Sequence, residues 1–405
     1  MKKRVVITGI GLLTPLGRGI PLNEEALRNG RSGIGYIKSF DTSKYKSCLG
    51  AEIDNSLIKE DFSEYVDRAS KLLLAACRDA VKSAALSIDE NSGLEAQIIL
   101  GTTLGGMLSG QEYHRNLLLE RNVKKHSAIL RDSLACHQAP YIANRLNLIG
   151  EALVFNNACA SGLSAIGCAF NRIRSGIITT AIAGGYDTMS DFTHAGFSSL
   201  ELVTSEKCRP FDKNRSGLVL GEGAGILILE EMNQALRREV NIFAEIIGYG
   251  QTSDAYHITK PDPEAQGASC AITMAINDSG ISPEEIDYVN AHGTGTLAND
   301  AMEAKALHLA LGEYGKKVPV SSTKPLTGHL LGGAGSVEAI FSIIAINNDI
   351  IPENLNYETP DPECKLNIIN GRSKSAEVTT VLSNSFGFGG SNSAMLLKRF
   401  DKGNN

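Results

Sequence analysis

A single thiol among small residues is the part of this chain best suited to covalent chemistry. Cys159 stands in the segment Asn157-Ala158-Cys159-Ala160-Ser161-Gly162. The apolar run 152–155 before it predicts a buried strand, and the apolar pattern of 162–170 predicts a helix. Cys159 is therefore predicted in the first helical turn, where unpaired N–H groups and the helix dipole favour a thiolate. A small buried structural cysteine is the alternative interpretation.

Two histidines lie in turns rich in small residues, each after an apolar run that predicts a strand. His292 is in Ala291-His292-Gly293-Thr294-Gly295, and His329 ends the segment Lys324-Pro325-Leu326-Thr327-Gly328-His329. Binding sites collect at the carboxyl ends of strands in parallel-rich sheets, so three such ends could bring both histidines to Cys159. The wide separation of the histidines does not indicate a metal site. From the residues alone, a structural role for each histidine remains open.

The elements that must position these residues alternate between strand-like and helical patterns, which predicts an α/β architecture with buried sheets. The predicted strands cover 4–8, 97–100, 153–155, 180–183, 225–229, 288–290 and 378–384. The most regular helical patterns cover 65–85, 263–279 and 298–311.

The chain also hints at an internal duplication. Residues 5–11 and 288–295 both read as a strand that runs into a turn of small residues before a helix. We expect two halves, residues 1–247 and 248–405. No Pro/Ser-rich linker separates them, so we expect the halves to pack tightly.

Composition limits the possible classes of function. The chain has 405 residues, 42% of them hydrophobic, and a formal net charge of −6, which disfavours a general nucleic-acid binder. No apolar stretch reaches the roughly 18 residues of a membrane-spanning helix, and the basic start lacks a signal-peptide pattern. The eight cysteines show no paired short spacing, so neither a zinc site nor a disulfide framework is predicted. We expect a globular cytoplasmic protein.

Glycine-rich and basic segments give weaker indications. Thr14 stands where the third glycine of a G-x-G-x-x-G motif would be, and no G-x-x-x-x-G-K-[ST] loop occurs, so no nucleotide cofactor is predicted. Three basic pairs could contact an acidic protein or could be solvated surface: Lys124-Lys125, Arg237-Arg238 and Lys316-Lys317.

Several segments in the same order resemble the β-ketoacyl-acyl-carrier-protein synthases, most closely the type II condensing enzymes with a Cys-His-His triad. The matching segments contain Cys159, His292, Lys324 with His329, and the turn 384–390, and the resemblance runs from Arg4 to Phe400. It implies the thiolase fold, a duplicated α/β unit in five layers, αβαβα. It also implies an acyltransferase that condenses a Cys-bound acyl chain with malonyl-acyl carrier protein, with loss of CO₂, in fatty-acid or related biosynthesis.

The resemblance implies roles for the three triad residues. Cys159 would carry the acyl group as a thioester, and its amide N–H together with that of Phe388 would form the oxyanion hole. His292 and His329 would donate hydrogen bonds to the enolate oxygen formed from the malonyl group.

The same resemblance assigns roles around the triad. Lys324 would orient the malonyl site, Glu303 would pair with that lysine, and Asp300 would have a weaker supporting role. Phe388 would be a mobile gate between the acyl pocket and the malonyl site, because glycines flank it. Leu104 would lie where the family sets acyl-chain depth.

Two departures from the family pattern leave the pathway open. Ser161 stands where the primary fatty-acid enzymes often have Thr, and the segment 200–207 is shorter and more acidic than the family's loop. A specialised polyketide or aryl-polyene ketosynthase is therefore an alternative to the housekeeping enzyme. The expected partners are acyl- and malonyl-loaded acyl carrier protein and a second subunit. That subunit would be an identical copy or a chain-length-factor homologue.

Three other functions can be weighed against this one. A non-condensing chain-length-factor subunit would keep the fold, but retention of Cys159 with both histidines argues against it. A biosynthetic thiolase would use a second cysteine near the C-terminal glycine turn, and 384–390 contains none. A metal hydrolase built on His292 and His329 lacks a convincing third ligand.

Overall fold

The computed structural model describes residues 2–59, 66–87, 93–119 and 127–401, in which strands and helices alternate as predicted. The strands are β1 (Val5–Thr14), β2 (Gly17–Arg18), β3 (Gly35–Tyr36), β4 (Leu49–Gly50), β5 (Leu94–Glu95), β6 (Gln97–Gly101), β7 (Leu148–Ile149), β8 (Ala152–Phe155), β9 (Thr180–Asp187), β10 (Gly223–Glu231), β11 (Ala244–Ser253), β12 (Tyr288–Asn290), β13 (Pro319–Ser321), β14 (Ile350–Ile351), β15 (Asn367–Ile368), β16 (Lys374–Ser375), β17 (Thr380–Gly387) and β18 (Ser391–Lys398). The helices are α1 (Ile20–Asn29), α2 (Arg68–Ser83), α3 (Met107–Leu118), α4 (Ser127–Asp132), α5 (Gln138–Arg145), α6 (Ser161–Arg174), α7 (Asp191–Ser199), α8 (Met232–Arg237), α9 (Gln266–Ser279), α10 (Leu297–Leu311), α11 (Lys324–Thr327) and α12 (Ala334–Asn348). The basic pair Lys124-Lys125 lies outside the described residues.

Most strands form one mixed sheet that repeats the same arrangement twice. Its order is β15-β13-β12-β17-β18-β11-β1-β10-β9-β6-β8. In one half, β8, β6 and β9 are parallel and β10 and β1 are antiparallel; in the other, β13, β12 and β17 are parallel and β18 and β11 are antiparallel. A short pairing of β1 with β11 joins the halves. A duplication is therefore present in the topology, but the expected match of 5–11 with 288–295 is wrong, because β1 corresponds to β11 and β12 corresponds to β6.

Five layers result from the packing of helices on this sheet. α6 and α12 lie between the two halves and share a central apolar core with both. α12 is apolar around almost its whole circumference, as expected for a helix buried on all sides. A second core packs α9 and α10 against one outer face, and a third packs α2 and α5 against the other. The predicted α/β fold with layers αβαβα is confirmed.

Some expectations about individual elements need correction. The run 153–155 was predicted as a buried strand, but in β8 Ala152 is exposed and the next three residues are only half-buried. The reason is position, because β8 is the last strand of the sheet and has one neighbour, β6, in the described part of the chain. The predicted helices 65–85, 263–279 and 298–311 correspond to α2, α9 and α10, with bounds shifted by a few residues.

The expected boundary between residues 247 and 248 falls within β11. This strand pairs with β1 through Ile246 and with β18 over most of its length. The two halves are therefore joined by continuous strand pairing as well as by the central core, and the division at this point stays a prediction.

Within the described ranges, every helix is too short or too polar to cross a membrane.

The predicted site residues follow the carboxyl ends of strands. Cys159 comes shortly after β8, His292 after β12, Lys324 and His329 after β13, and Phe388 directly after β17. Because β13, β12 and β17 are adjacent and parallel, their carboxyl ends meet at one edge of the sheet. The topology thus brings the residues after β12, β13 and β17 to one edge, and Cys159 reaches them because α6 packs against α12 and the turn 158–160 packs against β17.

Candidate active site

Cys159 lies in a strained turn at the start of α6. Residues 158–160 form a 3₁₀ turn directly before the helix, and Ala158 has a φ of 54°, in the left-handed region that is unusual for a residue other than glycine. Ser385 Oγ donates a hydrogen bond to the Cys159 carbonyl oxygen (3.0 Å). The thiol is therefore held in place by the end of β17 as well as by its own helix.

His329 contacts the thiol directly. Its Nε2 lies 3.1 Å from Cys159 Sγ, and both residues are buried. Its Nδ1 accepts a hydrogen bond from the Leu331 backbone N–H (3.3 Å). Because one imidazole nitrogen is occupied as an acceptor, we infer that the ring proton is on Nε2, which points at the sulfur.

His292 presents the second ring of the site. Its ring centroid is 5.3 Å from that of His329, with the planes at 82°. The Lys324 Nζ lies 3.2 Å from His292 Nδ1 and also donates to the His292 carbonyl oxygen. An ammonium can only donate, so His292 Nδ1 is the acceptor and its proton is on Nε2. Both histidines therefore offer an Nε2–H donor.

Lys324 is paired with a carboxylate that the sequence did not identify. Its Nζ donates to Glu338 Oε1 at 2.5 Å, and both side chains are almost completely buried. Burial raises the pKa of Glu338 to about 7, while the lysine opposes that shift. A lone carboxylate in the otherwise apolar helix α12 is the signal in the sequence from which Glu338 could have been found.

The expected pairing of Glu303 with Lys324 is wrong. The Glu303 carboxylate accepts hydrogen bonds from the backbone N–H groups of His292 (2.8 Å) and Gly293 (2.7 Å), so it fixes the turn that carries the histidine. Burial raises the pKa of Glu303 to about 7. The lysine instead reaches Glu338, because α12 packs beside the site.

Asp300 acts on the backbone around the site. Its carboxylate accepts from the backbone N–H groups of Phe211 (2.7 Å) and Gly295 (3.2 Å), and Arg215 lies 3.8 Å away. It is fully buried and does not line the cavity above Cys159.

The electrostatics keep both histidines neutral. Burial lowers the pKa of His292 and of His329 well below the usual range, and the positive charge of Lys324 lowers both further. A neutral imidazole with its proton on Nε2 can donate one hydrogen bond into the cavity. The site therefore contains two neutral imidazoles, of which His329 contacts the Cys159 sulfur and His292 packs edge-on against His329.

The state of the thiol differs from the sequence prediction. Burial raises the pKa of Cys159 to about 12, although Lys324 opposes the shift. The start of the helix was predicted to favour a thiolate, but burial of the sulfur outweighs it. Cys159 is therefore a neutral thiol before substrate binds.

This protonation state predicts a steep pH dependence for alkylation of Cys159. Below a pKa of about 12, each pH unit increases the thiolate fraction roughly tenfold, so the rate with iodoacetamide should rise about tenfold per unit between pH 7 and pH 9. Mass spectrometry of the Cys159 peptide measures the rate, and the exposed Cys136 and Cys270 monitor reagent quality in the same digest. A rate that is flat below pH 8 would show that the thiolate exists at neutral pH.

A cavity of about 520 Å³ leads to Cys159 and both histidines. Phe388 lies in its wall and stacks on Phe197, with ring centroids 5.5 Å apart. Gly387 leaves little room beside the nucleophile, since a β-carbon there would lie 3.1 Å from the Cys159 nitrogen. The amide of the next residue, Phe388, is therefore close to the Cys159 turn.

Leu104 is placed away from the wall of this cavity. It is half-buried against a small apolar cluster that includes Leu218, which does line the cavity. Phe197 belongs to the same cluster and was not identified from the sequence.

In the described part of the chain, we find no group of metal-ligating side chains that could hold an ion.

Comparison with known proteins places this site in a family. The β-ketoacyl synthase N-terminal domain matches residues 2–235, and the C-terminal domain of the same family matches 243–358. The 3-oxoacyl-[acyl-carrier-protein] synthase 2 of Synechocystis sp. is 39% identical over 411 residues, covering 98% of this chain and 99% of that protein. The enzyme of the same name from Staphylococcus aureus is 39% identical with the same coverage of 98% and 99%.

Solved structures agree with this assignment. The ishigamide ketosynthase/chain length factor superposes with a TM-score of 0.93 at 33% identity, covering 99% of this chain and 100% of that chain. A ketosynthase from Xenorhabdus doucetiae in complex with its chain length factor gives a TM-score of 0.86 at 30% identity, with 98% of each chain covered. The chain belongs to the β-ketoacyl synthase family.

Proposed function

We propose that this protein is a 3-oxoacyl-acyl-carrier-protein synthase, an acyltransferase that extends an acyl chain by decarboxylative Claisen condensation. The observation that carries the proposal is the 3.1 Å contact between Cys159 Sγ and His329 Nε2, with the His292 ring beside them. A thiol next to two neutral N–H donors suits a reaction that passes through a thioester and an enolate.

In the first half reaction, the Cys159 sulfur attacks the thioester carbonyl of an acyl carrier protein. A new C–S bond forms to Cys159, the bond to the carrier sulfur breaks, and the thiol proton leaves with the released carrier thiol. The backbone N–H groups of Cys159 and Phe388 are proposed to stabilise the tetrahedral oxyanion. The close approach of Gly387 to the Cys159 nitrogen supports that arrangement.

In the second half reaction, malonyl-acyl carrier protein binds with its thioester oxygen near both histidines. The bond to the malonyl carboxylate breaks, CO₂ leaves, and the electron pair forms an enolate that His292 and His329 stabilise. The enolate carbon attacks the acyl group, and the Cys159 sulfur leaves as a thiolate that takes a proton from water. Removing one preorganised donor of this type typically costs about 3 kcal/mol of transition-state stabilisation.

Lys324 is proposed to orient His292. Its ammonium fills the Nδ1 acceptor of that ring and so keeps the proton on Nε2. Glu338 balances the lysine charge, while Glu303 and Asp300 support the turn around His292 and Gly295. All four residues are thus proposed to affect the reaction indirectly, because they fix the position of His292 and of the loop that carries it.

Phe388 is proposed to gate the cavity, and Leu104 to limit the depth of the acyl pocket. Phe388 stacks on Phe197 and is followed by Gly389 and Gly390, which have φ values of 77° and 76°. Glycines in this region leave the backbone free to change conformation. The contact of Leu104 with the cluster that contains Leu218 and Phe197 supports its role at the apolar end.

Acyl carrier protein, loaded with acyl or malonyl groups, is the proposed partner in catalysis. For the assembly, we propose a dimer that covers the free edge of β8. The exposed edge of Ala152–Phe155 and the exposed Ile149 beside it support an interface there. The second subunit is an identical copy, or a chain-length-factor homologue as in the Xenorhabdus doucetiae complex.

The free cysteines and the similar proteins support a proposal about the cellular compartment and the pathway of the reaction. All eight cysteines are free, which suits a reducing cytoplasm. The relatives named 3-oxoacyl-[acyl-carrier-protein] synthase 2 favour fatty-acid biosynthesis. A specialised polyketide or polyene ketosynthase is the second candidate, and the similarity to a ketosynthase in complex with its type II PKS acyl-carrier protein (TM-score 0.91, 27% identity) favours the polyketide enzyme.

Acylation of Cys159 is the test of this proposal. Intact-protein mass spectrometry follows wild type and Cys159→Ala during incubation with a panel of acyl carrier proteins that carry acyl groups of different length. We expect an acyl adduct on wild type, mapped to Cys159, and none on Cys159→Ala. If no donor in the panel acylates the folded wild type, the synthase proposal fails and the non-condensing subunit is favoured.

A further inference from the structure

We propose that Asp187 is a positioning residue whose single carboxylate holds both the turn of His329 and the segment of Leu104. The inference rests on the proposed condensing function. Asp187 is the last residue of β9, is fully buried and does not itself line the cavity. Its importance would lie in the two segments that it joins.

Four donors converge on this carboxylate. Oδ1 accepts from the Thr102 hydroxyl (2.6 Å) and the Leu104 backbone N–H (3.0 Å). Oδ2 accepts from the backbone N–H groups of Thr103 (2.8 Å) and Gly332 (2.7 Å). Three donors come from the first half of the chain and one from the second, so the carboxylate joins the halves beside the active site.

The Gly332 contact acts on His329 through one residue. The Leu331 N–H orients the His329 ring by donating to Nδ1, and the next N–H along the chain, that of Gly332, donates to Asp187. Leu331 has a φ of 53°, a left-handed conformation that costs free energy for any residue other than glycine. A strained residue keeps its conformation only when its neighbours fix it. Asp187 is the acceptor that fixes this turn.

Close packing keeps this turn against the acyl segment. A β-carbon on Gly332 would lie only 2.6 Å from the Thr103 nitrogen, so the two backbones are in direct contact. The other donors to Asp187 include the backbone of Leu104 itself. A shift of the Asp187 carboxylate would therefore move both Leu104, which is proposed to limit acyl length, and the His329 ring, which is proposed to stabilise the enolate.

The test compares Asp187→Asn and Asp187→Ala with wild type and with Glu230→Gln. The amide of Asn has one acceptor oxygen, so it can satisfy only one pair of donors, and Ala satisfies none. Glu230 is a matched control, because it is a fully buried carboxylate that accepts from Thr8 (2.6 Å) and lies at the opposite end of the β9–β10 pair. Circular dichroism and thermal melting identify folded variants.

We expect a graded loss confined to condensation and chain length. The kcat for malonyl-acyl carrier protein should fall by roughly tenfold in Asp187→Asn and by more in Asp187→Ala, with KM within about twofold of wild type. Acylation of Cys159 by a short acyl donor should change by less than threefold, and the product chain-length distribution should broaden. Glu230→Gln should keep wild-type kinetics even where its melting temperature falls.

Two results would overturn the inference. The first is a folded Asp187→Ala variant that keeps the wild-type kcat and the wild-type product chain length. The second is a Glu230→Gln variant that loses as much stability as the Asp187 variants and also loses as much kcat. Wild type is assayed first, because its failure to condense would contradict the proposed function and not this inference.

Discussion

Replacing His329 by Ala should reduce condensation by about 10²–10³-fold while Cys159 still becomes acylated. The ring supplies one of two Nε2–H donors to the enolate, and loss of one preorganised donor typically reduces kcat by that factor. Acylation depends on the sulfur and on backbone N–H groups, so it should persist at a reduced rate. Intact-protein mass spectrometry measures the acyl adduct, and release of CO₂ from malonyl-acyl carrier protein measures the second half reaction.

His308→Ala is the matched control for that variant. The His308 Nε2 contacts the Lys365 carbonyl oxygen (2.8 Å), and the residue does not line the catalytic cavity. Its removal should leave both half reactions unchanged. Condensation at the wild-type rate in His329→Ala would remove this histidine from the proposed mechanism.

Glu338→Ala should lower the free energy of unfolding by about 3–5 kcal/mol, because it leaves the buried Lys324 ammonium without its carboxylate. Chemical denaturation at fixed protein concentration measures the change, since a dimer's stability depends on concentration. Activity should fall as well, because Lys324 would no longer be held against His292 Nδ1.

A double variant separates charge balance from packing. Lys324→Met combined with Glu338→Leu removes both charges and keeps most of the volume, so it should recover wild-type stability or exceed it. It should remain defective in condensation because His292 Nδ1 no longer accepts a hydrogen bond from Lys324.

The single variant Glu338→Ala can contradict the stability prediction. If it unfolds at the same denaturant concentration as wild type, the ion pair contributes nothing to stability.

The sequence predicted most of the site because its reacting residues lie in short local segments. Cys159 and His292 follow the strands predicted at 153–155 and 288–290, and His329 follows an apolar run to which no bounds were assigned. The adjacent parallel strands β12 and β13 then place the two histidines at one edge. Lys324 and Phe388 were also predicted from short segments that resemble those of the family. The roles of these residues stay proposals. Strand order explains why the two histidines converge, whereas Cys159 meets them through the packing of α6 against α12 between the halves.

What the sequence did not predict depends on tertiary contacts. Glu303 was expected to be the partner of Lys324, and Glu338 holds that place because α12 packs beside the lysine. The neutral thiol of Cys159 follows from complete burial, which a local helix pattern does not report. The half-exposure of β8 likewise follows from its position at the sheet edge.

A single-turnover condensation shows whether the acyl group on Cys159 is joined to the malonyl unit. Wild-type enzyme is acylated on Cys159, separated from the donor carrier protein, and mixed with malonyl-acyl carrier protein labelled in its free carboxyl group. We expect each acyl group lost from Cys159 to yield one 3-oxoacyl-acyl carrier protein and one labelled CO₂. An acyl group that stays on Cys159, or that leaves only as free acid while malonyl-acyl carrier protein remains intact, would contradict this expectation.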